Sequence, residues 1–265
     1  MIIRTHIPVS SSHISDYVIS IWEVYGDRKI KEAILPQGVV ELVFNLGDGM
    51  TGILPGDKVV KTPSCFIQGL NTNVINVEYT GQQHLFGIRL QPPMLKSLLG
   101  ITPAELKNSL IDLTLIKKHF LYLWHQLVEV RSFEERVTVI ETEFPLIKKS
   151  DCVRTQKLCN MFFSNSIEGF ESVELLAESV NYSTRQVNRK AHSLFGVSGE
   201  ELTAYKKFLQ SVKLIHTANY SLTEIAHASG FYDQAHFCRI FKMYSGITAT
   251  EYNTSKGHSP FHLFL

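Results

Sequence analysis

The feature that most constrains what this 265-residue chain can fold into is a pair of helices joined by a tight turn, which occurs twice. In the first copy, Ser172 is placed to cap a short helix, because a serine hydroxyl accepts hydrogen bonds from the free backbone N–H groups of a first turn. Asn181 follows, and asparagine tolerates the left-handed backbone of a tight turn. Ser183 and Gln186 then form a capping box that opens a second helix. This order predicts a helix-turn-helix unit at about 172–196.

The second copy lies about fifty residues further along the chain. Ser221 and Glu224 form its capping box. Gly230 stands in the turn, and Asp233 caps the helix that follows. This internal repeat predicts a second helix-turn-helix unit at about 221–245.

A single long helix is predicted between the two units. Ser198 and Glu201 form its capping box, and its apolar stripe continues to about His216. At roughly 1.5 Å per residue this linker helix is about 25 Å long. Successive major-groove segments of straight DNA are about 34 Å apart, so two recognition helices on this linker would need bent DNA or tilted docking.

The second helix of each unit has an apolar face and a polar face. The predicted inward residues are Val187, Ala191 and Leu194 in the first unit, and Phe237, Ile240, Phe241 and Tyr244 in the second. Arginine, asparagine and glutamine can bond base edges in the major groove, and serine, threonine and lysine suit phosphates. The candidate DNA-binding residues are Ser183, Thr184, Arg185, Asn188, Arg189, His192, Gln234, Ala235, His236, Arg239 and Lys242.

The charge balance excludes a uniformly basic surface. The chain has 26 Lys and Arg against 25 Asp and Glu, a formal net charge of +1. The basic residues of the second half concentrate on the second helices and on the linker helix, where Lys206, Lys207 and Lys213 have no acidic neighbour over 204–216. This segregation predicts DNA binding with few phosphate contacts and a shallow salt dependence.

The first half alternates strand-forming runs with turn residues. The runs are Tyr17–Tyr25, Val39–Leu46, Phe66–Leu70, Val74–Tyr79 and Leu85–Leu90, with turns at 26–28, 35–38, 47–49, 55–57, 71–73 and 80–83. This pattern predicts a sandwich or small barrel. Helix starts at Thr102 and Ser132, and a helical period over Ile111–Val130, predict helices after the strands.

The predicted fold class is therefore α+β. A strand-rich domain with flanking helices is expected over 1–148, and an all-α domain with two helix-turn-helix units over 149–265. The stretch Pro145–Ser150 is the predicted linker.

The first half carries no recognisable catalytic or metal-binding motif. Its histidines are widely separated, so neither a metal nor a cofactor is predicted, and the protein is not expected to be an enzyme. Arg89 lies in an apolar strand, where it is either paired with an acid or faces a cavity. Four aromatic residues either line a pocket beside it or form ordinary core. The candidate ligand-binding residues are Trp22, Phe44, Phe66, Phe86 and Arg89.

The cellular setting predicted from the sequence is the cytoplasm. The four cysteines, Cys65, Cys152, Cys159 and Cys238, form no CxxC pair and are expected to be reduced thiols. No apolar run is long enough for a membrane-spanning helix, and the N-terminus does not have the pattern of a secretory signal. Contact with a membrane is not expected.

The second half resembles the DNA-binding domain of the AraC/XylS family of bacterial transcription regulators. The residues that carry the resemblance are Glu224-Ile225-Ala226, Gly230-Phe231, Phe237, Arg239, Phe241-Lys242, Gly246, Thr248 and Tyr252, with Leu176-Ala177, Ser183, Val187, Arg189 and Gly196 in the first unit. The chain departs from the family at Ala191, where a large aromatic is usual, so the core there is expected to be either looser or filled by Phe195. Segments 34–46 and 85–101 resemble the cupin-like sensor domain that precedes some of these regulators.

The resemblance implies a sequence-specific transcription regulator that binds double-stranded DNA, and it favours an activator, which would also contact RNA polymerase. It implies base reading by Arg185, Asn188 and Arg189 in the first unit and by Gln234, His236 and Arg239 in the second. For the first domain it implies small-molecule effector binding, homodimer formation or both. Two alternatives stay open: an enzyme tethered to DNA by the helices, and a dimeric DNA-binding protein that needs no ligand.

Overall fold

Two antiparallel sheets make up most of the first half of the chain. The computed structural model describes residues 2–26, 30–54, 58–79, 81–147, 152–257 and 259–264. The strands are β1 (Ile2–His6), β2 (Val18–Gly26), β3 (Ile30–Ile34), β4 (Val40–Asn45), β5 (Met50–Leu54), β6 (Lys58–Lys61), β7 (Cys65–Gln68), β8 (Ile75–Tyr79), β9 (Gln83–Leu90), β10 (Leu110–Asp112) and β11 (His262–Phe264). The five predicted strand runs are all present, whereas the segment 27–29 and the turns at 55–57 and Thr80 lie outside the described residues.

The two sheets enclose a cavity. One sheet has the order β1-β2-β9-β4-β7-β10 and the other β11-β3-β8-β5-β6. Successive side chains of a strand point to opposite faces, so each strand of the first sheet contributes to two cores. In β4, Val43 packs toward the second sheet and Phe44 packs toward the outer face.

Short helices cover the outer face of the six-stranded sheet. They are α1 (Leu95–Leu99), α2 (Pro103–Leu106), α3 (Leu113–Ile116), α4 (His119–Glu129) and α5 (Phe133–Glu143). The predicted capping boxes at Thr102 and Ser132 are present. The single helix predicted over Ile111–Val130 is wrong at its start. Ile111 instead pairs with Ile67 at the sheet edge, and the Asp112 carboxylate accepts a hydrogen bond from the Thr114 N–H at 2.8 Å to begin α3.

The second half is helical. Its helices are α6 (Val153–Phe163), α7 (Val173–Ser179), α8 (Thr184–Phe195), α9 (Gly199–Thr217), α10 (Leu222–Ala228), α11 (Gln234–Ser245) and α12 (Ala249–Ser255). The predicted caps Ser172, Ser183, Ser198, Ser221 and Asp233 are in place and accept hydrogen bonds from the first turns of the helices that follow them. Thr248 caps α12 in the same way. The predicted α+β architecture, with two helix-turn-helix units joined by a linker helix, is confirmed.

The two halves of the chain are in contact. The C-terminal strand β11 crosses back from the helices and pairs antiparallel with β3, which the predicted boundary at 148/149 does not anticipate. Residues 148–151, where that boundary and much of the predicted linker fall, lie outside the described residues. Apolar residues of the first half also join the helical core, namely Ala33, Leu35 and Leu70.

Tyr205 of the linker helix α9 bonds two loops of the first half. Its fully buried hydroxyl accepts a hydrogen bond from the Gly38 N–H at 2.9 Å and donates one to the Asn71 carbonyl at 2.7 Å. These two hydrogen bonds join α9, the helix between the two helix-turn-helix units, to the sheets of the first half.

Replacing Tyr205 with phenylalanine is expected to lower the free energy of unfolding by about 1–3 kcal/mol, because the buried Gly38 N–H would lose its partner. Denaturant unfolding measures this loss. The matched control is Tyr220→Phe, since Tyr220 is 50% exposed and should change stability by less than about 0.5 kcal/mol. Equal unfolding midpoints for the two variants would contradict the assignment.

Candidate nucleic-acid interface and cavity

The two helix-turn-helix units have the same backbone geometry. Asn181 in the first turn and Gly230 in the second both have positive φ, 52° and 76°. In each turn the same hydrogen bond joins the first residue after the positive-φ position to the small residue of the first helix. The pairs are Tyr182 N–H to Ala177 O at 2.9 Å and Phe231 N–H to Ala226 O at 3.0 Å. The repeat seen in the sequence is therefore a repeat of structure.

Both second helices bury one face. In α8 the fully buried residues are Val187, Ala191 and Phe195, while Leu194 is half-buried. The predicted inward position of Leu194 is thus largely taken by Phe195, whose ring centroid lies 4.7 Å from that of Phe162. In α11 the buried residues are Phe237, Phe241 and Tyr244, with Ile240 half-buried.

The opposite faces of α8 and α11 are largely open to solvent. Among the candidate DNA-binding residues, the exposed ones are Ser183, Thr184, Arg185, Arg189, His192, Gln234, Ala235, Arg239 and Lys242. Asn188 and His236 are half-buried. The guanidinium groups of Arg185, Arg189 and Arg239 therefore stand on surfaces that a DNA groove can reach.

Asn188 has a different position from the one predicted. Its Oδ1 accepts a hydrogen bond from the Gly199 N–H at 2.8 Å, and its Nδ2 donates to the Thr184 carbonyl at 3.2 Å. The side-chain amide thus satisfies a free N–H at the start of α9 and fixes the joint between α8 and α9. This use of the amide argues against the predicted base-reading role of Asn188. The chain fold brings Gly199 back onto α8, and helical periodicity gives no sign of that.

Two candidates of the second unit are held by their neighbours. Gln234 Oε1 accepts a hydrogen bond from Thr223 Oγ1 at 2.8 Å, which ties the start of α11 to α10. The His236 ring lies edge-on to Phe231, with centroids 5.5 Å apart. Burial, and then the nearby Lys207 and Arg239, lower the pKa of His236, so its imidazole is neutral at pH 7 and suits a base edge better than a phosphate.

Two of the three lysines that the sequence places on the linker helix, Lys206 and Lys207, are buried. Lys206 is 2% exposed, and its Nζ donates hydrogen bonds to the carbonyls of Phe162 at 2.8 Å and Ser164 at 2.5 Å. Lys207 is also buried and donates to the Glu171 carbonyl at 2.7 Å. Burial lowers the pKa of Lys206 to about 8. These two lysines hold the segment between α6 and α7 and do not face a phosphate backbone.

The cavity between the two sheets has a volume of about 460 Å³. Three of the five candidate ligand-binding residues line it: Trp22, Phe66 and Arg89. Phe44 and Phe86 do not, because strand alternation turns them to the outer face, where they pack under the helices. For these two residues the pocket prediction is wrong and the core alternative holds.

Arg89 both faces the cavity and is paired. Its Nε donates a hydrogen bond to Glu41 Oε1 at 2.8 Å. Both alternatives considered for Arg89, pairing with an acid and facing a cavity, are therefore correct. Glu41 is 6% exposed and also accepts from Trp22 Nε1 at 3.2 Å and from Gln68 Nε2 at 2.6 Å. The Glu41 carboxylate thus accepts hydrogen bonds from three side chains.

A second carboxylate in the cavity, Glu32, was missed by sequence reasoning. It is 7% exposed and accepts a hydrogen bond from the Tyr79 hydroxyl at 3.3 Å. His262 of strand β11 places Nδ1 2.5 Å from Glu32 Oε1. The two residues are 230 positions apart, and no local pattern indicates that they meet.

Across the described ranges, no helix is long and apolar enough to cross a membrane. The same described residues contain no group of three or more His, Cys, Asp or Glu that could hold a metal ion.

Two equivalent helix-turn-helix units, each presenting an exposed polar helix, define a DNA-binding protein. Residues 176–255 match the family described as a helix-turn-helix domain, and residues 6–112 match a domain of unknown function, DUF6597. No curated protein matches the chain in sequence.

Several solved structures are similar to this chain. An apo form of a ToxT variant from Vibrio cholerae strain SCE256 has 12% identity and a TM-score of 0.48, over 88% of this chain and 97% of that one. Wild-type ToxT of the same strain, bound to an unsaturated fatty acid, has 11% identity and a TM-score of 0.45, over 88% and 93%. The DNA-binding domain of AdpA in complex with a target DNA has 25% identity and a TM-score of 0.33, over 37% and 90%.

The resemblance seen in the sequence is confirmed for the second half of the chain, which carries an AraC-type helix-turn-helix domain. Residues 176–255 thus form a helix-turn-helix domain of the kind that DNA-binding transcription regulators carry.

Proposed function

We propose that the protein reads two adjacent major-groove segments of one DNA duplex with α8 and α11. The observation that carries this proposal is that one continuous helix, α9 of 19 residues, joins two units of the same geometry. At roughly 1.5 Å per residue α9 is about 28 Å long, which is shorter than the repeat of about 34 Å between major-groove segments. DNA that is bent toward the protein, or helices that enter the groove at a tilt, would make up the difference.

The base contacts are assigned to the exposed side chains. In the first unit these are Arg185 and Arg189, and in the second Arg239 together with the neutral ring of His236. Phosphate contacts are assigned to Ser183, Thr184 and Gln234 at the starts of α8 and α11, and to His192 and Lys242 in the last turns of the same helices. Ala235, exposed at the start of α11, is small enough for the helix to approach a base closely.

Footprinting on the DNA upstream of the protein's own gene tests the proposal. Two protected segments about one helical turn apart are expected. A single protected segment would mean that only one unit docks. Equal binding to every sequence would contradict sequence-specific reading.

The salt dependence of DNA binding is expected to be shallow, because Lys206 and Lys207 are buried and cannot neutralise phosphates. Five Lys and Arg residues remain on the recognition helices, namely Arg185, Arg189, Lys190, Arg239 and Lys242. The slope of log K against log salt concentration should be about −0.9 for each phosphate contacted, and so no steeper than about −5. Titrations over a range of salt concentrations measure it, and a slope near −10 would contradict the assignment.

The cavity in the first domain is proposed as the site of a small-molecule effector. Its volume of about 460 Å³ and its mostly apolar lining with a few buried polar groups are typical of ligand pockets. An effector controls DNA binding only if its affinity differs between two states of the protein. Activation of transcription, which the AraC/XylS resemblance favours, is part of the same proposal, and a reporter gene behind the footprinted site tests its direction.

A further inference from the structure

We infer that the cavity takes a small apolar molecule with a cationic head that donates several hydrogen bonds, and that this head binds Glu32 in place of His262. The inference rests on the proposed role of the cavity as an effector site. It adds the chemical class of the ligand and the contact that the ligand breaks.

The charges of the cavity disfavour an anionic ligand. Among the described residues that line it, the charged side chains besides His262 are Glu32, Glu41 and Arg89. The Arg89 guanidinium is already engaged by Glu41, with Nε 2.8 Å from Oε1. A ligand carboxylate would therefore lie beside two buried carboxylates, where the low dielectric strengthens repulsion. A cation would gain from the same field. The apolar part of the ligand would contact the apolar residues of the lining, including Ile34, Val43, Phe66, Val77 and Leu85.

Glu32 is the carboxylate with a replaceable partner. Its donor Tyr79 lies on β8, in the same sheet, and burial and the adjacent Glu32 raise the pKa of Tyr79, so its hydroxyl stays a neutral donor. The other donor is His262, which belongs to the terminal strand β11. His262 Nδ1 faces Glu32, and its other ring nitrogen, Nε2, lies 3.3 Å from Gln37 Nε2. An ammonium group, which has three N–H donors, would take the place of His262 Nδ1 on Glu32 and form a charge-assisted hydrogen bond there.

The strand that carries His262 is linked to the second helix-turn-helix unit through α12. Phe261 precedes β11 with φ of 68°, a strained conformation for an aromatic residue. Its carbonyl accepts a hydrogen bond from the Leu35 N–H at 2.8 Å, and its N–H donates to the Tyr252 hydroxyl at 3.2 Å. The Tyr252 ring in turn packs on Phe241 of α11, with centroids 5.5 Å apart. Release of His262 would free this strained segment and alter the support behind α11.

Three probes with one skeleton test the ligand class: 4-phenylbutylamine, 4-phenylbutan-1-ol and 4-phenylbutyrate. Calorimetric titration into the full chain should show the amine binding about tenfold more tightly than the alcohol, with the acid weakest. Tighter binding of the acid or the alcohol would overturn the inference and leave the effector site standing. Binding of none of the three would overturn it together with the proposed role of the cavity, while the DNA footprint tests the other half of the proposed function independently.

Variants test the residues. Glu32→Gln should lower amine affinity about tenfold, whereas the control Glu78→Gln, on the same strand pair but outside the cavity, should leave it unchanged. His262→Ala should raise amine affinity, because the competitor is gone; a role in packing alone would lower it. In the unaltered chain, hydrogen exchange of the amides at 262–264 should speed up when the amine binds. Unchanged exchange would overturn the replacement of His262 by the ligand, even if a variant fails to fold.

Discussion

Replacing Arg239 with alanine is expected to weaken binding to the cognate DNA site by about 1–3 kcal/mol and to relax sequence preference at one base pair. Arg239 is exposed on α11, the recognition helix of the second unit, and its guanidinium can bond a guanine through two parallel hydrogen bonds. In binding constants the loss is about fivefold to 150-fold. Mobility-shift titrations against the native site and against sites altered one base pair at a time measure both effects.

Two further variants separate base reading from charge. Lys242→Ala, on the same exposed face of α11, should weaken binding to all sequences alike and should reduce the salt slope by about 1. Arg131→Ala removes the same charge as Arg239→Ala from an exposed position in the first half and should leave DNA binding unchanged. If Arg239→Ala behaves like Arg131→Ala, or lowers affinity without any change in preference, Arg239 does not read a base.

The helix ends could be predicted from sequence because their signals are local. A capping box needs only a serine or threonine and a glutamate or glutamine three residues later, and the boxes at Ser183, Ser198 and Ser221 mark helix starts as predicted. The turn geometry at Asn181 and Gly230 follows for the same reason, since it depends on the backbone preference of one residue.

The strands, and the direction in which their side chains face, were harder to predict from the sequence. The segment Ile30–Ile34 contains Lys31, Glu32 and Ala33, which are poor strand formers, and it is a strand because it pairs with both β8 and β11. Whether an aromatic residue of the first sheet faces the cavity or the helices depends on its parity along the strand. The sequence does not reveal whether the odd or the even positions of a strand face the cavity. It therefore could not show that Phe66 faces the cavity and Phe44 the helices.

The roles of individual polar residues depended on partners distant in sequence. Asn188 faces the backbone of Gly199 rather than solvent, and Lys206 donates to carbonyls on α6 and just beyond its end. His262 meets Glu32 across almost the whole length of the chain. Helical position was predicted correctly for Asn188 and Lys206, and His262 was not singled out from the sequence at all. Residue type and local position do not determine which group a polar side chain bonds.

The largest effect on stability is expected from Phe195→Ala, at about 3–5 kcal/mol, which is a substantial part of the roughly 5–15 kcal/mol that stabilises a native protein. Phe195 is fully buried at the end of α8, with ring centroids 4.7 Å from Phe162 and 6.3 Å from Phe163. It lies on the same buried face as Ala191, whose small side chain cannot fill the cavity that the lost ring would leave.

Denaturant unfolding of Phe195→Ala measures the loss, with Leu194→Ala as the control on the neighbouring, half-buried position. Leu194→Ala should lower the free energy of unfolding by less, because water already reaches part of the Leu194 side chain. The packing of Phe195 also orders the helix that carries Arg185 and Arg189, so the footprint of Phe195→Ala should weaken first over the segment read by α8. An unfolding loss no larger than that of Leu194→Ala would mean that the aromatic cluster closes around the gap, and that Phe195 does not compensate for the small residue at 191.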